Sequence, residues 1–363
     1  MMSRAVMSVL LPLSSVLAVE QPPDLTQNGI QTAFRVLQSE YIRSGDLTFD
    51  ELNRAALLGL LERLQFGAQI VPRSEETREA GPGGVQADIL RPGIGLLRPR
   101  AFRQQESAEM ERHLAAFVQQ GMKHLILDLR VPSLPGDFDV AAAMLGLFVP
   151  EGEVLFKTRQ MRESGTEVQR SARAPLWTAS VLVLVDEETC NVGEAIAAVL
   201  RQRKQGMLIG APTRGAAVRY ETIPVDARWS LRFARAEVLM ADDSSIFQKG
   251  LRPDFPVALD SKEKHALFDA EGRTRPADTI TETPRQRFNE AALVAGTNPE
   301  LDTYIRRSSG GTLPEDLPKA QDRVLQRAVD FLLTTDHLQG AKIDWNRKPP
   351  AEPPVPKARP VNP

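Results

Sequence analysis

An α/β layer architecture is predicted by three features of the stretch that begins at Gly93. Strand-like and helix-like segments alternate, two apolar runs read as strands, and one of those runs enters a helix through a tight turn. Alternation of this kind builds a sheet with helices packed on it and right-handed crossovers. The two runs are HLILDLR (His124 to Arg130) and SVLVLVD (Ser180 to Asp186). The first reads as a buried strand and the second as a β-rich run.

The elements follow in order. Residues 1–18 place one Arg before a 14-residue apolar stretch, Ala5 to Ala18, that ends in small residues. This pattern reads as a secretory signal peptide, because a span needs about 20 residues. Residues 19–73 read as a helical segment, with one helix from about Gly29 to Tyr41 and a second opened by the capping box T-F-D-E at Thr48. Leu52, Ala55, Ala56, Leu60 and Leu64 mark one face of the second. Residues 74–92, charged and Gly-rich at their start, read as a linker.

In the core, residues 93–258, a short strand GIGLLRPRAF precedes a helix from Ser107 to Gln120 that Gly121 stops. A helix near Val140 to Phe148 and a strand from Glu153 to Arg159 follow the first buried run. The second run meets a helix from Glu194 to Gln202, and Met207 to Gly210, Val218 to Val225, Trp229 to Ala234 and Glu237 to Met240 read as strands. Residues 259–340 form a helical extension, with helices near Arg285 to Ala295, Asn298 to Arg307 and Ala320 to Leu338. Residues 341–363 end in seven prolines among the last fifteen residues, a composition that predicts an extended tail.

Composition excludes several function classes. The chain has 363 residues, with 45 Lys+Arg against 47 Asp+Glu and a net charge of -2, so it lacks the positive field that nucleic acid demands. The one cysteine, Cys190, cannot form an intramolecular disulfide, and four scattered histidines make no metal-binding pattern. No metal and no cofactor are expected. No segment beyond the first residues is long and apolar enough to span a bilayer.

Five islands, in order from Gly93 to Val257, resemble the C-terminal processing (tail-specific) protease family. GIGLLRPRAF is similar to that family's G-x-G-Y-I-R-x-x-x-F strand, and LILDLR (Leu125 to Arg130) to its I-L-D-L-R. SVLVLVDEETCNVGEAIAAVL (Ser180 to Leu200) resembles V-L-V-N-x-x-T-A-S-A-S-E-I-x-A-x-A-L. MLIGAPTRGAAVRY (Met207 to Tyr220) parallels V-I-G-x-x-T-x-G-K-G-x-V-Q, and KGLRPDFPV (Lys249 to Val257) parallels G-I-x-P-D-x-x-V. The resemblance implies a ClpP/crotonase-like protease core with a mixed sheet and flanking helices. It also implies a serine-type endopeptidase ancestry. The PDZ module usual in the family has no room between Gln65 and Gly93.

The chemical positions depart from the family. Its first Ser of S-A-S-E is the nucleophile, a neutral Lys in T-x-G-K-G is the base, and a Gln four residues on orients the Lys. The resemblance puts Asn191, Ala216 and Tyr220 at these places, with a spacing of 25 residues between the first two, as in the family. A carboxamide is no nucleophile toward an amide, alanine is no base, and the neighbouring Arg214 and Arg219 stay protonated. The family's oxyanion donors map to Val192 N–H and to Gly136 N–H within D-L-R-V-P-S-L-P-G (Asp128 to Gly136), where two prolines have no N–H to give.

Cys190 reads either as a replacement nucleophile at a helix N-terminus or as a small apolar residue in an alanine slot. Asp128 and Arg130, two apart on a strand, read either as ligands for a peptide carboxylate or as a structural ion pair. Three functional readings follow: an inactive homologue in the bacterial periplasm or cell envelope that binds peptide or protein segments, an active peptidase using Cys190, and a scaffold with a closed cleft. The sequence does not settle an oligomeric state.

Overall fold

The computed structural model describes residues 26–76, 83–131, 137–160, 165–269, 274–280 and 321–340. The expected signal peptide, the Gly136 turn, the helices near Arg285 and Asn298 and the proline-rich tail lie outside these residues. The chain divides into two compact units, Met1–Leu64 and Gln65–Pro363.

In the first unit α1 spans Gln27–Glu40 and α2 spans Phe49–Leu64. Thr26 caps α1 by accepting from Gly29 N at 3.2 Å, and Thr48 caps α2 by accepting from Glu51 N at 3.2 Å. These caps satisfy N–H groups that a first helical turn leaves without partners. The Glu51 carboxylate turns to Arg54 at 3.1 Å. On the expected apolar face of α2, Leu52 is buried while Leu60 and Leu64 are exposed.

The second unit holds two sheets where the sequence predicts a single layered sheet. Its elements in chain order are β1 (Ala68–Pro72), α3 (Arg73–Glu76), β2 (Val85–Arg91), β3 (Ile94–Pro99), α4 (Gln104–Gln119), β4 (His124–Asp128) and α5 (Phe138–Leu145). Then come β5 (Val154–Gln160), β6 (Thr166–Arg170), β7 (Val181–Val185), α6 (Asn191–Gln202), β8 (Gly206–Gly210) and β9 (Val218–Pro224). The series ends with β10 (Trp229–Leu239), β11 (Phe255–Pro256), α7 (Ser261–Asp269) and α8 (Arg323–Gly340).

The mixed sheet has the order β11-β8-β7-β4-β3-β2, parallel throughout except for the β2/β3 hairpin. The second sheet is antiparallel, β1-β10-β5-β6, with β9 also on β10.

Two expectations are corrected. The stretch read as a linker, 74–92, contains strand β2, because Pro92 and Gly93 (φ +82°) make a tight turn that folds it back on β3. The two strands expected between Trp229 and Met240 are one, with a register shift between Ala234 and Ala236. One strand has no counterpart in the sequence reading: the exposed, charged β6 (TEVQR) carries no strand-like apolar pattern and pairs with β5.

The buried runs work as their composition predicts. On β4, Leu125 and Leu127 enter a core shared with α4, α5 and α6, whereas Ile126 faces the opposite core. Val181, Val183 and Val185 of β7 join the first core; Leu182 and Leu184 join the second. Val324, Leu325, Ala328, Val329 and Leu332 of α8, at helical spacing, cover that second face. The sheet is thereby buried on both sides, and its β7 carboxyl end delivers the turn that carries the candidate site.

Candidate functional site

The turn after β7 is built by short polar side chains. Asp186 Oδ1 accepts from Glu188 N at 3.0 Å and Thr189 N at 3.2 Å, while the Thr189 hydroxyl donates to the Leu129 carbonyl at 2.9 Å. This ties the turn to the end of β4. Helix α6 starts at Asn191, three residues before the sequence places it, with Cys190 as its N-cap residue. Asn191 has φ +48°, a left-handed conformation that asparagine tolerates better than most residues.

Positions 191 and 216 come together through two contacts. The Asn191 carboxamide donates to the Val218 carbonyl at 2.7 Å. One helical turn on, the buried Glu194 accepts from Gly215 N at 2.7 Å and from the Thr213 hydroxyl through Oε1, and from Ala216 N at 2.8 Å through Oε2. Thr213 Oγ1 in turn accepts from Leu251 N at 2.8 Å. Asn191 is 2% exposed and Ala216 4%, so neither presents a reactive face to solvent. Val192, also buried, has its N–H in the first turn of α6, where no intrahelical acceptor exists. Cys190 is buried at 6% exposure.

Glycines let this loop close. Gly250 has φ +63°, and a β-carbon there would collide with the Thr213 carbonyl; one at Gly215 (φ +78°) would come within 2.8 Å of Gly250 N. Gly250→Ala therefore costs both backbone strain and a backbone clash. We expect a loss of about 2–4 kcal/mol in urea unfolding. Gly152→Ala, also at positive φ (+82°) but with nothing within 4 Å, loses only about 1 kcal/mol. Equal losses at the two sites would refute the close approach.

Tyr220 lies on β9 with its hydroxyl donating to the Phe66 carbonyl at 2.7 Å. Burial, with Cys190 nearby adding to it, pushes the phenol up to about 12. Arg214 donates its Nε to the Glu187 carbonyl at 3.3 Å and sits 5.7 Å from the Phe66 ring. The Gln65–Gly67 turn thus touches the site from β1's side.

The reading of Asp128 and Arg130 as ligands for a peptide is overturned by burial. They are 0% and 1% exposed, and they form an internal quartet with Arg98 and Asp322. Arg98 reaches Asp128 at 2.8 Å, and Arg130 reaches Asp128 at 2.7 Å and Asp322 at 2.6 Å. Phe268 of α7 lies 4.0 Å beneath the Arg98 guanidinium. Asp322 also caps α8, accepting from Leu325 N at 3.0 Å. Its position, 192 residues from Arg130, gives no signal in the sequence. Neither does Lys264 of α7, which is buried against Asp186 at 2.7 Å and Glu188 at 2.6 Å and braces the turn before Asn191. Glu194 was legible as the last letter of the S-A-S-E-like island, but its grip on residues 213–216 was not.

These groups fix the pH dependence. Burial pushes the Asp128 carboxyl up, but the Arg130 and Arg98 guanidiniums outweigh it, so the group lies well below its ordinary 3.8. Burial likewise opposes Lys264 and His265 at Glu188, which is held below 4.5. A depressed carboxylate contributes stability above its unfolded value and loses it as pH falls toward the folded one. Glu194 runs the other way. Burial raises it despite its three donors, so its contribution is full below 4.5 and fades as pH rises through the raised value. The expected urea profile falls steeply below about pH 4, and Asp128→Asn flattens that acid limb. An acid limb of unchanged slope in the variant would remove Asp128 from this role.

Among the described residues, no group of three or more His, Cys, Asp or Glu could hold a metal ion. Nor does any described helix have the length and apolarity to cross a membrane.

Comparison with known proteins supports the same frame. The chain is similar to the carboxy-terminal processing protease CtpA of Bacillus subtilis, 25% identical over 221 residues that cover 57% of this chain and 47% of the relative. It is also similar to the carboxyl-terminal-processing protease of Synechocystis, 24% identical across 62% of this chain and 55% of that protein. The chain therefore spans about half the length of these relatives. A solved candidate peptidase of Parabacteroides merdae shares the fold, with a TM-score of 0.50 and 16% identity over 69% of this chain and 89% of that one. The family model of peptidase family S41 matches residues 93–257, the span of the five islands.

Proposed function

We propose that this chain is a non-catalytic S41 homologue of the bacterial cell envelope that binds peptide or protein segments. The observation that carries the reading is the pairing of positions 191 and 216. The side chain that would attack is a buried carboxamide spent on the Val218 carbonyl, and the base position is a buried alanine. Amide cleavage needs a nucleophile, a base and oxyanion donors, and the first two roles have no chemical group here. Peptide binding draws on the family's substrates, and an envelope location on the apolar stretch Ala5 to Ala18.

Burial of Asn191 also favours a second reading, a scaffold whose cleft is closed. The test is a turnover assay on unstructured peptides and denatured protein, run with protein fractionated from its source and sequenced from its N-terminus. The expected results are a start near Val19 and no turnover. A full-length cytoplasmic protein would refute export. Turnover lost in Cys190→Ala would establish a cysteine peptidase instead.

A further inference from the structure

We propose that the face around Tyr220 takes a peptide carboxylate between Arg214 and Arg232, an inference that rests on reading the chain as a peptide binder. Several arginines of this unit are held by internal carboxylates, as Arg173 is by Glu111, Arg201 by Asp254 and Arg235 by Glu221. Arg214 and Arg232 are not among these. Arg214 gives only its Nε, to a backbone carbonyl, and Arg232 gives its Nε to the Thr222 hydroxyl at 3.3 Å. Among the described residues neither guanidinium has a carboxylate in ion-pair range, so each keeps its two NH2 groups for a ligand.

The two come from different elements to one place. Arg232 on β10 pairs with Thr222 on β9, and Ala234 pairs with Tyr220, so Arg232 and Tyr220 share a face of that ribbon. Arg214 arrives from the loop after β8 and lies 5.7 Å from the ring of Phe66, whose carbonyl accepts the Tyr220 hydroxyl. Ser230, two residues from Arg232 on the same strand face, is fully buried, and its hydroxyl has no hydrogen-bond partner. The buried Glu194 carboxylate is already bound to Thr213, Gly215 and Ala216. The positive end of α6, at Asn191, adds to the same field. A planar carboxylate fits guanidinium forks in a paired, charge-assisted geometry that a neutral amide cannot match. The carboxylate can be a chain end or a Glu or Asp side chain.

Fluorescence anisotropy with the full chain decides this, using one labelled short unstructured peptide in three forms: free C-terminal acid, C-terminal amide, and amide with internal Glu residues. The expected result is that the neutral amide binds least, and the better of the two charged forms identifies the source. Arg214→Gln and Arg232→Gln each weaken that binding about tenfold or more. Arg235→Gln, whose partner Glu221 lies on the other face of the ribbon, leaves it unchanged. If all three peptides bind alike and the arginine variants change nothing, the carboxylate site is refuted while peptide binding stands. If no peptide binds, the peptide-binding reading falls with it.

Discussion

Arg130→Met is expected to lower the unfolding free energy by about 3–5 kcal/mol, among the largest effects of any single substitution in this chain. The guanidinium is 1% exposed and holds two carboxylates at once, Asp128 at 2.7 Å and Asp322 at 2.6 Å. Its removal leaves two negative charges in the interior with Arg98 as the remaining cation. An uncompensated buried charge costs far more than the ion pair itself contributes, because water can no longer solvate it.

The same logic predicts a rescue. Arg130→Met combined with Asp322→Asn removes one charge of each sign, leaves the Arg98–Asp128 pair intact, and keeps an oxygen to cap α8 at Leu325 N. The double variant should therefore be more stable than Arg130→Met alone, a non-additivity that a double-mutant cycle in urea measures directly. Simple addition of the two losses would mean that the quartet does not act as a unit.

Restoring peptidase chemistry is the second large effect expected, and it should appear only when the roles are restored together. Asn191→Ser alone supplies a hydroxyl with no base to take its proton, so turnover stays at the level of the wild type. Asn191→Ser with Ala216→Lys is the smallest change that supplies both groups, and Tyr220→Gln adds the residue that orients the new lysine. Tyr220→Gln also removes the hydroxyl bond to the Phe66 carbonyl and with it one contact over the site. The expected order of turnover is triple, then double, with single and wild type at background. Equal turnover in all four proteins would place the reacting groups elsewhere.

Legibility differed along the chain for identifiable reasons. HLILDLR was readable as a buried strand and SVLVLVD as a β-rich run from their apolar composition, and β4 and β7 fill two cores. The helix α4 and its stop were readable from local spacing and from Gly121, which sits at φ +70°. Strand β6 was not, since its TEVQR sequence is exposed and takes its shape from β5. Helix α7 lies in the stretch expected to be helical but is not among the helices named there; it is held by Lys264 and Phe268 against partners far along the chain. Neither observation could be made from a window of local sequence.

The amino-acid sequence by itself determined the alternation of strands and helices from Gly93, the family resemblance of its five islands, and the residue types at 191, 216 and 220. Those are properties of local pattern and side-chain chemistry. Tertiary structure alone decided what these residues do. Whether Asp128 and Arg130 meet a substrate or each other depends on what covers them, and Arg98, Phe268 and Asp322 cover them completely. Whether Asn191 faces a cleft depends on its backbone angle and on the Val218 carbonyl that takes its amide proton. Charge pairing and burial act through space between residues distant in sequence, so a linear reading supplies the groups and the fold supplies their partners.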